Sequence, residues 1–222
     1  MDAIINRVGQ VELLRKTEIP AELERPSSFL KILKAQHYNW ESERFRKLFA
    51  MQFSVKIPPI DQINTIFYPK LEYDFPIFIF FCLITKRKVI THLNLNCPFD
   101  DAAYREMWVD PFNKILQNFA SFESKDRYPE WMKKYRNSST IYGLFPKEKL
   151  GDISDCCFAY LDLYLQKVGQ AQLVSDSRRR HKIASFHDQW VDDIRTQDKA
   201  QGMMAKMIGK NIAKRIFYEV TT

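Results

Sequence analysis

The stretch that most constrains this chain is Asn64 to Asp101, which reads as two or three β-strands. They are broken by Tyr68-Pro69-Lys70 and by the charged turn Lys86-Arg87-Lys88. The run Phe75–Ile84 is almost wholly apolar and rich in β-branched and aromatic residues, the pattern of a strand buried on both faces. It is too short to cross a bilayer. The strand after it alternates. Val89, Thr91, Leu93 and Leu95 share one face, and His92, Asn94 and Asn96 share the other. Three polar side chains in register beside the most hydrophobic strand form either a solvated sheet face or the floor of a polar pocket.

The flanking segments supply the other layers. Residues 1–25 read as a short helical entry ending near Pro20. FLKILKAQHYNW and RFRKLFAMQFSV form a first hairpin within Ser28–Val55, turning at Asn39–Glu43, and Pro58-Pro59 breaks the chain after it. Ala102–Phe122 has helical spacing interrupted at Pro111, and Glu123–Ser139 is a charged connection. Thr140–Phe145 is a short strand. A helix over Cys156–Val168, capped by Asp152 or Ser154, presents Phe158, Leu161, Leu165 and Val168 to a core. Asp176–Thr221 is helical, interrupted at Thr196–Gly202, with Gly202 as a boundary or close approach and a second amphipathic segment over Met203–Val220. Strands early and helices late give an α+β chain, a mostly antiparallel sheet covered by helices.

Length and composition narrow the function. The 222 residues, 45% of them apolar, suit a single domain spanning 1–222. With six glycines and no GxGxxG or GxxxxGK[ST], phosphate cradles are disfavoured. Cys82, Cys97, Cys156 and Cys157 form no CxxC, and the four histidines show no ligand spacing, so no metal site is expected. Neither a signal peptide nor a long apolar run occurs, which points to a soluble intracellular protein. The net charge of +7 invites an acidic partner, but no aromatic–basic interleaving matches a nucleic-acid module.

Four segments then carry a resemblance: FRKLFAMQF at 45–53, INTIFYPK…YDFPIF at 63–78, LNLNCP at 93–98 and RTQDKAQG at 195–202. In this order and spacing they resemble the ferredoxin-dependent bilin reductases, with INTIFYPK most like the phycoerythrobilin-forming phage members. The resemblance implies a three-layer α/β/α sandwich with an open-chain tetrapyrrole between the sheet and the C-terminal helices. It also implies electrons taken singly from a reduced [2Fe–2S] ferredoxin, with no flavin or metal held by the chain.

Residue by residue, the family's late aspartate falls on Asp198, a candidate proton donor whose ordinary alternative is a helix-terminus carboxylate. The family's strand carboxylate falls on Asn94, which hydrogen-bonds but does not relay a proton at neutral pH. His92, on the same face, is the candidate replacement donor, and Asn96 a substrate contact. Lys70 stands where phycocyanobilin-forming members are read to carry a pocket glutamate. Lys147 and Arg195 are candidates for the propionates, with Leu144 at a family arginine position. Lys86, Arg87 and Lys88 form a patch on which acidic ferredoxin would dock. The implied reaction is reduction of biliverdin IXα to phycoerythrobilin through 15,16-dihydrobiliverdin. The alternatives are a two-electron reductase making or consuming that intermediate, or a non-catalytic bilin carrier. A monomer is expected, in a bacterial or phage-infected cytosol or a plastid stroma.

Overall fold

The computed structural model describes every residue except 27–31 and 120–127. The start of the FLKILK segment, the end of Ala102–Phe122 and part of the Glu123–Ser139 connection therefore lie outside the described residues. The chain builds one antiparallel meander in sequence order, β1 to β7, each strand paired with the next. The strands are β1 (Arg15–Lys16), β2 (Leu33–Glu41), β3 (Phe45–Val55), β4 (Ile60–Pro69), β5 (Ile77–Ile84), β6 (Lys88–Asn96) and β7 (Ile141–Pro146). Short polar or proline-bearing turns join β2 through β6, whereas longer connections carrying α2 and then α3 and α4 lead into β2 and β7.

One sheet face carries Phe67, Phe78, Phe80, Leu93 and Leu95. It packs on α1 (Asp2–Gly9), α3 (Ala102–Trp108), α4 (Asp110–Gln117) and α5 (Leu150–Gln170). Two buried tyrosines on α5 lock this layer, because each hydroxyl finds a carbonyl instead of remaining unpaired. Tyr160 donates to Ser139 O at 2.7 Å and Tyr164 to Pro76 O at 2.8 Å. The other face carries Phe49, Ile66, Tyr68, Ile77 and Ile79. It packs on α2 (Ala21–Glu24), α6 (Ser177–Gln197), α7 (Ala200–Ile208), α8 (Lys210–Arg215) and the π-turn Ile216–Thr221. Helices on both faces of one sheet make the α/β/α sandwich that the sequence implies. β5 is apolar on both sides because both faces are covered. No helix among the described residues is long and apolar enough to cross a membrane.

Several local expectations change. The first 25 residues are not one helix: α1 stops at Gly9, and Arg15–Lys16 pairs with Trp40 and Glu41. Asn39, Trp40 and Glu41 belong to β2, and the turn is Ser42–Arg44, where the Ser42 amide donates to Phe45 O. α5 begins at Leu150, so Asp152 and Ser154 lie inside it and do not cap it. Phe158 is only half-buried, packed against the edge of the core that holds Leu161 with the Arg7 guanidinium over its ring. Gly202 sits exposed within α7 with nothing within 4 Å of a Cβ built there. The boundary glycine is Gly209, at φ +88 between α7 and α8, a backbone conformation that L side chains rarely adopt.

Candidate active site

The face under α6–α8 is organised in cross-strand rows. One row runs His37, Met51, Asn64, Phe81, His92, Tyr142 across β2 to β7. The next runs Asn39, Phe49, Ile66, Ile79, Asn94. Beyond it Lys47 lies beside Tyr68 and Ile77 beside Asn96. Rows are two residues apart along each strand, so the outer two are separated by about 13 Å. The alternation read in β6 thus places His92, Asn94 and Asn96 on the helix-covered face, all buried.

Asn94 is committed within the protein. β7 stops pairing at Leu93–Ile141, and the Asn94 side chain takes over where the ladder ends. Its Nδ2 donates to Asn96 Oδ1 at 2.6 Å and to Tyr135 O at 2.9 Å, and its Oδ1 accepts from Thr140 Oγ1 at 2.7 Å. It fastens the 3₁₀ turn Glu130–Tyr135 and the entry to β7 onto the sheet. Asn96 Nδ2, by contrast, is buried without a partner among the described residues.

His92 shares a hydrogen bond between Nε2 and the Tyr128 hydroxyl at 3.0 Å, with Tyr128 and Tyr142 edge-on to its ring. Burial removes solvation from the imidazolium and pushes its pKa down to about 3, so the ring is neutral at pH 7. By itself it is therefore not an acid at neutral pH; it passes a proton only by taking one from a neighbour such as Tyr128.

Asp198 joins α6 to α7, and its Oδ1 accepts from the Ala200 amide at 2.8 Å. Burial raises its pKa more than that amide lowers it. Burial raises the pKa of the Tyr142 phenol and the charge of Asp198 adds to it, so the carboxyl lies within electrostatic reach of Tyr142. The helix-terminus role and the site position therefore belong to the same side chain.

A second cluster lies toward the Asn96 row. Arg46 is the extra residue of a β-bulge in β3, where pairing jumps from Phe45 to Lys47. Its guanidinium lies 4.9 Å from the Tyr68 ring centroid, and burial lowers its pKa. Arg46 Nε and both ring nitrogens of His187 are buried without hydrogen-bond partners among the described residues, and Tyr68 Oη and Trp190 Nε1 have at most each other. Beside them Lys47 Nζ donates to Val220 O at 3.3 Å and Thr222 O at 2.7 Å, and burial brings its pKa down to about 8. Unpaired buried donors are costly, and an acceptor-rich anionic ligand would satisfy them.

The other basic candidates fall elsewhere. Lys70 is half-exposed just past β4, its amide donating to Arg44 O. Lys147 is exposed beyond β7 and its amide meets Arg87 O, at the opposite end of β6 from Asn94 and Asn96. That puts it about 23 Å along the strand from Asn94. Leu144 is exposed beside Ile90. Arg195 spends its donors on Thr222 Oγ1 at 2.9 Å and Tyr218 O at 3.0 Å, with its guanidinium over the Tyr218 ring. Among the described residues no group of three or more His, Cys, Asp or Glu side chains is arranged to hold a metal ion.

A profile of the ferredoxin-dependent bilin reductases matches residues 1–221. The chain belongs to this family. The family's name describes a reductase that takes its electrons from ferredoxin. Among curated proteins, the chain is 27% identical over 168 residues to a 15,16-dihydrobiliverdin:ferredoxin oxidoreductase of Nostoc punctiforme, a match covering 70% of this chain and 65% of that protein. The matched part thus spans just under two thirds of the relative's length. Among solved structures, tomato phytochromobilin synthase in complex with biliverdin superposes with a TM-score of 0.89 at 15% identity, covering 97% of this chain and 79% of that one. A structure of PcyX superposes with a TM-score of 0.57 at 13% identity over 97% and 92%. At these identities the structural likeness speaks for the fold.

Within this bilin reductase fold the sequence brought Asp198, His92, Asn94 and Asn96 to one face but did not single out Arg46, Tyr68, Tyr128, Tyr142, His187 or Trp190. Arg46 and Tyr68 stand inside the FRK and INTIFYPK segments that carry the resemblance, so a signal existed. His187 and Trp190 share a helix face by their three-residue spacing, which alone reads as core.

Proposed function

We propose that this chain reduces biliverdin IXα with electrons from reduced ferredoxin, giving phycoerythrobilin through 15,16-dihydrobiliverdin. The observation that carries the reading is the set of unpaired buried donors on the same helix-covered sheet face as an acid of raised pKa, under α6–α8. A bilin brings two carboxylates and two lactam carbonyls, the acceptors such a surface lacks. Arg46, with Tyr68 and the His187–Trp190 face above it, supports a propionate better than Lys147 does; Lys70 and Arg195 remain at the rim. Asn96 Nδ2 is the free donor for a lactam or pyrrole edge, and Asn94 keeps the pocket floor in place.

Each double bond reduced takes two electrons and two protons, and ferredoxin delivers its electrons singly. Asp198, whose burial favours the protonated acid, gives one proton to the bilin and recovers it from solvent at the α6–α7 junction. As an added electron makes the bilin more basic, the second proton comes from the Tyr128 phenol through His92, and the phenolate is then reprotonated from solvent. Such an enzyme works where reduced ferredoxin is present, in a bacterial or phage-infected cytosol or a plastid stroma, and as a monomer.

A two-electron reductase that makes or consumes 15,16-dihydrobiliverdin is the second reading. The name of the Nostoc relative favours it, as does the amide at Asn94 in place of an acid. Comparison of wild type with Asp198→Asn tests the catalytic role. Asparagine retains an oxygen to accept from the Ala200 amide, so the fold and biliverdin's bound spectrum are expected to persist. Turnover is expected to fall by about 10²-fold or to stop at an intermediate. Unchanged turnover contradicts the role. Turnover absent from both proteins, with biliverdin bound, leaves a bilin carrier.

A further inference from the structure

We propose that the exposed face of α7 and α8 is the surface on which the acidic iron–sulfur electron donor docks, an inference that rests on the bilin-reductase reading. From Lys199 to Tyr218 the chain contains five Lys and Arg residues and no Asp or Glu. Lys199, Met203 and Lys206 recur at helical offsets of four and three along α7, Lys210 opens α8 just past Gly209, and all four are exposed. Lys199, Lys206 and Lys210 form no ion pair among the described residues, whereas Arg215 is already held by Glu22 and Glu219.

The face is basic but not uniformly polar. Met203 is 61% exposed and Tyr218 37% exposed, with the Lys214 ammonium 5.3 Å from the Tyr218 ring centroid. Charge to steer a partner, with exposed apolar side chains among the charges, is the composition of a transient docking surface. Position adds a second argument. Met204, on the inward side of α7, packs into the core that holds Tyr68 and Trp190, and α7 begins next to Asp198. One helix, about 10 Å thick, separates this surface from the candidate site.

The rival is the β5–β6 turn, where Lys86, Arg87 and Lys88 converge with Lys147. That patch has Glu148 and Asp61 beside it. It lies at the end of the sheet away from the Arg46 cluster. Beside α8, Glu22 and Glu219 are already paired with Arg215, so Lys199, Lys206 and Lys210 present their charge to an acidic donor nearer the candidate site.

The test is direct titration of the full chain with an oxidised plant-type [2Fe–2S] ferredoxin at low ionic strength. It compares wild type with Lys206→Glu/Lys210→Glu, the milder Lys206→Gln/Lys210→Gln, and Lys86→Glu/Lys88→Glu. The charge reversal on α7–α8 is expected to weaken binding by about tenfold or more, and the neutral pair by less. The turn variant is expected to change it less than about twofold. Added salt should flatten the differences. A larger loss in the turn variant, equal losses in both, or no binding by wild type overturns the proposal. Biliverdin binding, and its reduction by a small chemical reductant, report on the bilin-reductase reading separately, since neither involves the docking face.

Discussion

Asn94 shows what one atom decides. Its Nδ2 faces two oxygens, Asn96 Oδ1 and Tyr135 O. Asn94→Asp would set a carboxylate against both, and only the protonated acid could donate in their place. The folded-state pKa of the new acid is therefore raised, and its stability contribution is present at low pH and lost as pH rises through that value. Relative to wild type, the variant is expected to be destabilised by about 2–4 kcal/mol at pH 7 and by less at pH 5, in chemical denaturation. An equal penalty at both values contradicts the assignment. Asp198 obeys the same sign: as a donor it must be protonated, so turnover is expected to fall as pH rises through its raised pKa, and that limb should vanish in Asp198→Asn. The β6 alternation showed which side chains share a face, but not that Asn94 would be consumed by the chain itself, because Tyr135 and Thr140 are some forty residues away.

At the level of elements, the two glycines of the C-terminal helices behave oppositely. Gly202→Ala adds a methyl into open space inside α7 and is expected to stabilise by up to about 1 kcal/mol. Gly209→Ala forces a side chain onto φ +88 and is expected to destabilise by about 1–2 kcal/mol. Urea unfolding of both variants checks the pair; the reverse order would place the helix break at Gly202. Sequence gives no means of choosing between them, since both are glycines in basic, helix-forming surroundings. What was legible was periodic: β5 and β6, the break at Pro111, and α5 from its core face. What was not legible depends on register. The β-bulge that turns Arg46 toward Tyr68 exists only once β3 and β4 are aligned, and the two-residue β1 has too few positions to show a period.

At the level of the whole molecule, three buried histidines set the response to acid. Burial lowers the pKa of His37 to about 4 and those of His92 and His187 to about 3. Groups depressed on folding contribute stability above their unfolded pKa, about 6.5, and lose it as pH falls toward the folded values. Each costs about 1.4 kcal/mol per pH unit in that window, so together they give a slope of about 4 kcal/mol per unit below pH 6. Against a total stability of about 5–15 kcal/mol, cooperative unfolding is expected near pH 5. His187→Leu, which removes two unpaired nitrogens, should reduce the slope by about a third; an unaltered slope would mean that His187 is protonated in the fold. The same arrangement that makes the fold acid-sensitive, polar groups held dry between the sheet and α6, is the one on which the proposed bilin site rests. The most direct measurement is an anaerobic assay of the full chain with biliverdin IXα, reduced ferredoxin and a regenerating reductase, with products separated by chromatography. Conversion to phycoerythrobilin, with 15,16-dihydrobiliverdin appearing first, is the predicted result. Binding of biliverdin with no reduction of it or of 15,16-dihydrobiliverdin would contradict the account.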